Sequence, residues 1–372
     1  MKAFNLKSGI TSALLVAATM GAYSSNLMAA DNGFIDASLV QDREYLDAGM
    51  KASNVINEQR QTCGLTTMAD DRELVSISSK HAKYLQYLHT NMALAGTDDH
   101  YQVRVKGYEN VTGSGNPHFT GFSFTDRVIA ANYQNAVNGG SENLIQQELQ
   151  IVNGKLPSPN MVAEGFVRGL LSAPYHMETL LAPEKSLVGS SIVAYRPKGS
   201  DPKLRKGFIL VNSTSITKES SKQSINGLFT YPCDGVKGTV TALYNEYPSP
   251  VEGTGRNLRK DPIGQPIFVY MPSAKEIKVS NIKIFDKSRN QTLPTQLLDH
   301  TKDPHKNTEY QLQRNKAFIM PITDSLHSCY TGAWQNCGLH RNTEYQVSFD
   351  VLVDNKTTIK KSFKFTTGKT NR

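Results

Sequence analysis

The sequence predicts an α+β protein with a helical first part and an all-β second part. The chain has 372 residues, which is more than one hydrophobic core usually spans, so two domains are expected. Apolar residues recur at helical spacing from Glu44 to about Leu181, whereas short apolar runs separated by turn residues dominate beyond Tyr231. We therefore predict a first domain over residues 31–225 and a β-sandwich domain over residues 226–372.

Residues 1–30 have the pattern of a cleaved secretory signal peptide. The segment starts with Lys2 and Lys7, and its end is rich in small residues. The apolar run from Ile10 to about Ala22 is short and diluted by Ser and Thr, which disfavours the alternative of a membrane anchor. We predict an exported protein, periplasmic or secreted, whose mature chain has no integral membrane segment.

The charge pattern argues against nucleic acid as a partner. The formal net charge is +8 at pH 7, but Lys and Arg are scattered among Asp and Glu. No basic stripe with interleaved aromatic residues is present, as nucleic-acid binding normally requires. The mild positive charge favours solubility or adhesion to an acidic cell surface.

The four cysteines fit an oxidising compartment and allow three pairings. None lies in a CxxC motif, so metal-ribbon and thioredoxin-like sites are not expected. Cys329 and Cys337 bracket a loop short enough to close easily, which leaves Cys63 to pair with Cys233. The second bridge closes a long loop and would stabilise the fold by about 4 to 5 kcal/mol in the chain-entropy model.

Apolar spacing, caps and turn residues define the helices of the first part. The first predicted helix ends at about Arg60, before Gly64. The second runs from a cap at about Asp71 to Leu88, and the third from Phe124 to Tyr133 with Thr125 as cap. The fourth runs from Met161 to Leu171, and a further helical turn starts at Pro174.

The remaining segments of the first part are predicted as a loop, a strand pair and a linker. Ala95 to Thr125 is rich in Gly, Asp, Asn and Thr and is expected to be a long loop. Leu187–Tyr195 and Gly207–Asn212 are expected to form an antiparallel pair. Ser213 to Asn226 is polar and is expected to be a linker or an edge segment.

Five short strands separated by Asn, Asp, Gly and Pro are predicted in the second part, a spacing typical of a sandwich. They are Ile267–Tyr270, Ile277–Phe285, Lys316–Met320, Tyr345–Val353 and Ile359–Thr366. The last two resemble the final strands of an immunoglobulin- or fibronectin-type domain.

Seven short sequence pieces occur in a characteristic order over the helical part. They are Ile56-Asn-Glu-Gln-Arg60 with Cys63-Gly-Leu65, His81-Ala-Lys-Tyr84, Asp99-His100-Tyr101-Gln102, His118-Phe-Thr-Gly121, Arg127 to Tyr133, Ser141-Glu-Asn-Leu144, and Ser172-Ala-Pro-Tyr-His176. In this order they resemble the CAP superfamily of cysteine-rich secretory, antigen-5 and pathogenesis-related proteins, specifically its bacterial secreted branch.

The resemblance implies an α-β-α sandwich (the SCP domain) with an open cleft lined by two histidines and one or two acids. The matching histidines are His100 and His176, and Glu142 matches the cleft glutamate. Glu164 is the only acid available for a second position, although its spacing to His176 departs from the family pattern. Gln102 stands where bacterial relatives often have Glu.

Two kinds of site follow from this residue set. Two imidazoles and a carboxylate can hold a divalent metal such as zinc with an open position for water, in which case His100 and His176 would be ligands. They can instead form a hydrogen-bonded cluster in which Glu142 fixes a histidine tautomer. Sequence spacing does not separate the two.

The other polar residues near the motifs receive structural roles. His81 has helical spacing with apolar residues and is expected to be a satisfied, partly buried histidine, whereas His89 is expected to face solvent. Ser141 and Ser172 precede motif residues, but neither lies in a nucleophile elbow. A Ser-His-Glu hydrolase is therefore not favoured.

The leading functional hypothesis is an exported, non-catalytic protein that binds an unknown ligand or envelope component in its His/Glu-lined cleft. The alternative is a metal-assisted hydrolase acting on peptides or cell-envelope material, with a metal-bound water as nucleophile. A purely structural interaction module is a third possibility.

Overall fold

The computed structural model describes residues 33–93, 98–137, 139–217, 225, 227–308, 310–329 and 336–369. The predicted signal peptide, residues 1–30, lies outside the described residues. None of the helices in the described ranges is long and apolar enough to cross a membrane.

Five of the six α-helices described in the first half form where spacing and caps predict them, whereas α4 was not predicted. They are α1 (Leu46–Thr62), α2 (Arg72–Asn91), α3 (Phe124–Ala130), α4 (Gln134–Val137), α5 (Pro159–Leu170) and α6 (Pro174–Leu180). Asp71 caps α2 as predicted, since its side chain accepts from the Leu74 amide. The predicted cap of α3 is wrong: Ser123 and Asp126 form a reciprocal capping box, and Thr125 lies inside the helix.

The strands of the first half form one four-stranded sheet and a small separate pair. They are β1 (Phe34–Asp36), β2 (Ala69–Asp70), β3 (Ser141–Gln150), β4 (Lys155–Pro157), β5 (Leu187–Tyr195) and β6 (Arg205–Ser215). The larger sheet has the order β2-β5-β6-β3, in which β2 pairs parallel with β5 and the other pairs are antiparallel. The predicted antiparallel pair is confirmed as β5 and β6.

Helices cover both faces of this sheet, which makes three layers. Alternate residues of β5 point to opposite sides: Val193 packs in the core under α2, whereas Ile192 packs in the core that contains α1 and α5. β6 alternates in the same way, with Ile209 on the α2 side and Leu210 on the other. The sheet is therefore buried on both faces.

Strand β3 was not among the predicted strands because its sequence is polar. Ten residues from Ser141 to Gln150 pair in continuous register with β6, from Ser141 opposite Thr214 to Gln150 opposite Arg205. Most of its side chains are half-buried, so apolar alternation is weak. The neighbouring strand, rather than the local sequence, makes this segment extended.

The described residues of the second half contain nine strands, which include the five that were predicted. They are β7 (Phe229–Tyr231), β8 (Lys237–Thr239), β9 (Ile267–Tyr270), β10 (Ile277–Asp286), β11 (Gln291–Leu293), β12 (Thr295–Asp299), β13 (Lys316–Pro321), β14 (Glu344–Val353) and β15 (Thr357–Thr367). One sheet has the order β11-β10-β14-β15-β8 and the other the order β12-β13-β9-β7. The two sheets share one core, in which Ile267 and Ile319 of the smaller sheet lie with Val347 and Phe363 of the larger.

The smaller sheet also packs against the helical half. Phe268 and Phe318 stack at a centroid distance of 4.8 Å on its outer face. They belong to the same buried cluster as Val55 of α1 and Phe166 of α5. The molecule is thus α+β, and its two halves share a continuous apolar core.

Both predicted disulfides are confirmed. Cys63, which follows α1, is bonded to Cys233 with a Cα–Cα distance of 5.5 Å, and this bridge links the two halves. Cys329 is bonded to Cys337 with a Cα–Cα distance of 5.1 Å. No cysteine of the chain is free.

Candidate functional site

His100 and His176 face each other although they lie in different elements. His100 belongs to the loop before α3, and His176 is the third residue of α6. Their ring centroids are 6.3 Å apart, with 31° between the ring planes. The His100 side chain is 30% exposed and that of His176 is 12% exposed, so the pair is reachable from solvent.

Glu142, at the start of β3, fixes the ring of His100 through Nδ1. Its Oε1 lies 3.2 Å from His100 Nδ1. Arg127 of α3 donates from Nη2 to both carboxylate oxygens of Glu142, at 2.8 and 2.7 Å. Nη1 of Arg127 also lies 3.3 Å from the His100 carbonyl oxygen. The carboxylate and the guanidinium are both buried, so they form a closed ion pair that anchors one histidine.

This ion pair sets the protonation of the site. Burial raises the pKa of Glu142, but the neighbouring His81 ring, the charge of Arg127 and the hydrogen bond from His100 outweigh it and hold the pKa well below its usual range. Burial lowers the pKa of His100, but the hydrogen bond and negative charge of Glu142 outweigh that effect and raise it above the ordinary value. Glu142 is therefore ionised, and His100 retains its proton to higher pH than a free histidine.

The acid that holds His176 comes from the second half. Glu246 Oε1 lies 3.1 Å from His176 Nδ1 and accepts the backbone N–H of Tyr175 at 2.8 Å. The Glu246 side chain is fully buried, and its Oε2 has no hydrogen-bond partner among the described residues. Burial raises the pKa of Glu246, and the hydrogen bonds from His176 and Tyr175 offset this only in part.

Gln102 belongs to a buried chain of hydrogen bonds near His100. Its Nε2 donates to His81 Nδ1 at 2.9 Å, and its Oε1 accepts the Thr120 amide at 2.9 Å. His81 Nε2 lies 2.9 Å from the Asp99 carbonyl oxygen, so His81 is neutral with its proton on Nε2. Burial, the largest effect, lowers the pKa of His81 to about 4. The expectation of a satisfied histidine is confirmed, and its side chain is completely buried.

His89 differs from the sequence expectation of a solvent-facing ring. It is buried, and its Nε2 lies 2.9 Å from Asp99 Oδ2. The loop that carries Asp99 covers this side of α2, which helical spacing alone does not reveal.

Glu164 does not join the cluster. It lies on α5, where its Oε1 accepts from Arg168 Nη2 at 2.9 Å and its Oε2 is 3.9 Å from Lys51 Nζ. The two serines considered as nucleophiles are also engaged elsewhere. Ser141 Oγ is 2.8 Å from Thr214 Oγ1, and Ser172 Oγ donates to the Gly169 carbonyl oxygen at 2.7 Å.

The site contains two imidazole side chains, those of His100 and His176, that could ligate a metal ion. Among the described residues, no group of three or more His, Cys, Asp or Glu side chains is arranged to hold an ion. Glu142 does not fit as a third ligand because both of its oxygens accept from Arg127. His100 and His176 therefore lack a third protein ligand within the described part of the chain.

Sequence reasoning did not assign site roles to Arg127 and Glu246. Arg127 lies within one of the recognised motifs. The sequence signal that could have identified it is a basic residue in the motif that precedes the one with the predicted cleft glutamate. Glu246 had no local signal, because it is 70 residues from His176 and lies in the other half.

Comparison with known proteins gives a likeness to solved structures. No protein-family model matches the chain, and no curated protein matches it. Among solved structures, the chain is similar to the CAP domain of Enterococcal PrgA, with 17% identity and a TM-score of 0.27. The match covers 53% of this chain and 72% of the other.

Proposed function

We propose that this chain is an exported CAP-type protein that binds a ligand without catalysis in the cleft between His100 and His176. The order of the motifs and the three-layer first half support the CAP assignment. Two disulfides are compatible with an oxidising compartment. In the second half, the neighbours β10-β14-β15 correspond to C-F-G of an immunoglobulin fold, and β7-β9-β13-β12 to A-B-E-D. We assign this half an attachment or second-contact role.

One observation carries the proposal: both imidazoles are fixed through Nδ1 by buried carboxylates. The contacts to Glu142 and Glu246 leave Nε2 of each ring without a described protein partner. No Ser, Thr or Cys side chain in the described ranges is hydrogen-bonded to either ring, so the relay of an acyl-transfer enzyme lacks its nucleophile. Fixed rings with free Nε2 atoms are suited to binding.

The tautomer defines the ligand chemistry. With the proton on Nδ1, a neutral ring presents the Nε2 lone pair as an acceptor, and a protonated ring presents Nε2–H as a donor. His100 has the raised pKa, so it supplies a charged donor closer to neutral pH. A ligand with an acceptor group such as a carboxylate or phosphate matches His100.

Histidine NMR with small anions tests the binding proposal. Sodium phosphate and sodium acetate are added to full-length protein while the His100 and His176 ring nitrogens are monitored. We expect saturable shifts of the His100 and His176 resonances that weaken as pH rises through the raised pKa of His100. The His176 shifts should disappear in His100→Gln. Shifts that are linear in anion concentration, or His176 shifts that are unchanged in His100→Gln, would contradict specific binding.

Hydrolysis assays test the absence of catalysis. The full chain is incubated with a peptide, an ester and purified cell-wall material, and product release is compared with that of His176→Ala. We expect equal background rates. Turnover that is lost in His176→Ala would overturn the non-catalytic assignment.

The metal-assisted hydrolase remains the alternative, and the free Nε2 atoms are the observation in its favour. If zinc binds, the two imidazoles would hold it and it would polarise a water. Zinc titration by calorimetry separates the hypotheses, since a site with two protein ligands binds more weakly than one with three. We expect no tight stoichiometric binding, and chelator-sensitive turnover would establish the alternative.

A further inference from the structure

We propose that Glu246 is a positioning residue of the cleft, supplied by the second half, which holds His176 in its Nδ1–H form and caps α6. The cleft is then a product of both halves. This inference concerns the same cleft as the proposed function, but it rests on contacts within the protein and not on the identity of a ligand.

The start of α6 has no cap of its own. Ala173 occupies the cap position and provides no side-chain hydrogen bond. The first amides of a helix lack intrahelical partners and need one from elsewhere. Glu246 Oε1 accepts the amides of Tyr175 at 2.8 Å and His176 at 3.3 Å. A side chain more than 60 residues away thus performs the capping that Ser158 performs locally for α5.

The same oxygen determines the tautomer of His176. Because Oε1 accepts two backbone N–H groups, it acts as an acceptor towards the ring as well, and His176 Nδ1 must carry the proton. The Nε2 lone pair then remains free for a ligand. A proton on Glu246, if present, belongs on the unpartnered Oε2, so this tautomer does not depend on the charge of the carboxyl.

Neighbouring residues of α6 are attached to the second half in the same way. Tyr175 Oη donates to Asp303 Oδ1 at 2.8 Å. Lys316 Nζ of β13 donates to Glu178 Oε1 at 2.5 Å. Together with Glu246, these contacts give three side chains of one seven-residue helix a charged partner across the junction. The orientation of His176 therefore depends on the packing of the second half.

The test is long-range ¹H–¹⁵N NMR of the histidine rings in the full chain, about two pH units above the ordinary histidine pKa of about 6.5, where free rings are neutral. We expect wild-type His176 as the Nδ1–H tautomer. Glu246→Gln retains an acceptor oxygen and should keep it. Glu246→Ala removes the acceptor, and we expect a mixture containing the Nε2–H tautomer.

Amide exchange supplies the second readout. In Glu246→Ala the Tyr175 and His176 amides should exchange about five- to tenfold faster, as expected for the loss of one cap. Glu246→Asp, shortened by one methylene, replaces Glu246→Ala if that variant does not fold. Glu344→Ala is the control, because Glu344 is 48% exposed and pairs with Lys364 on the larger sheet of the second half, so it should change neither measurement.

Two results would overturn the inference: an Nε2–H tautomer of His176 in the wild type, or an unchanged Nδ1–H tautomer in folded Glu246→Ala. Failure of the anion titrations would contradict the proposed function alone, since the tautomer is measured without ligand.

Discussion

At the scale of single residues, the two carboxylates that contact His100 and His176 differ in the group that faces them. Glu142 faces the permanent charge of Arg127, which holds its pKa down despite burial. Glu246 faces only the titratable ring of His176 and two backbone amides, so burial prevails and its pKa is raised. One histidine is therefore paired with a fixed negative charge and the other with a carboxyl that protonates more readily.

Arg127→Gln should be strongly destabilising, because it leaves the buried Glu142 carboxylate without its charge partner. We expect a loss of about 3 to 5 kcal/mol in the free energy of unfolding, measured in urea. Arg205→Gln is the matched control: Arg205 is 59% exposed and pairs with Glu148 at 3.3 Å, so its loss should cost less than about 1 kcal/mol. Equal effects of the two changes would contradict the assigned role of Arg127.

His100 should make stability depend on pH in a defined direction. Its pKa is higher in the folded protein than in the unfolded chain, so its stabilising contribution is complete below about pH 6.5 and is lost as pH rises through the folded value. The stability difference between wild type and His100→Gln, from urea unfolding at a series of pH values, should therefore shrink as pH rises. A difference that grows with pH would show that the shift has the opposite sign.

At the scale of elements, β5 is approached closely by a helix on each face. A Cβ added at Gly49 of α1 would lie 2.5 Å from the Ser190 carbonyl oxygen. A Cβ added at Gly189 of β5 would collide with the backbone of Val75 in α2. The glycines allow α1 and α2 to contact the same strand, and α2 supplies the buried His81, whose Nε2 lies 3.7 Å from Glu142 Oε1. Element packing thus brings the residues around His100 together.

Gly49→Ala and Gly165→Ala form a matched pair of helical substitutions. Gly165 of α5 has open space where a Cβ would be added, so alanine should stabilise by about 0.5 to 1 kcal/mol through helix propensity. Gly49→Ala should destabilise by about 1 to 3 kcal/mol through overpacking. Thermal and urea unfolding measure both, and changes of the same sign would contradict the close packing of α1 on β5.

At the scale of the whole molecule, the junction between the halves is part of the core. One buried cluster includes Val55, Phe166, Phe268 and Phe318, drawn from both halves, and the Cys63–Cys233 bridge crosses the same junction. The Oε1 of Glu246, an ionisable group buried at this junction, is satisfied by His176 and two backbone amides. The contacts that hold His176 are therefore part of the junction between the halves.

The two disulfides should differ in their contribution to stability. Cys63 and Cys233 are 170 residues apart, whereas Cys329 and Cys337 are 8 apart. In the chain-entropy model, replacing the first pair with serine should cost about 4 to 5 kcal/mol and replacing the second about 2 to 3 kcal/mol. Denaturant unfolding of the two double variants measures both costs. A larger loss from the short bridge would contradict this ranking.

The sequence by itself determined five of the six described α-helices, seven of the described strands, the α+β class and the pairing of the cysteines, because spacing, caps and loop lengths are local or countable properties. Motif order also identified His100, Glu142 and His176 as candidates. Only the tertiary structure decided that β3 is a strand, that Arg127 neutralises Glu142, and that Glu246 rather than Glu164 holds His176. Hydrogen bonds and ion pairs depend on distances between atoms, and residues from both halves meet around His176 only after the chain has folded.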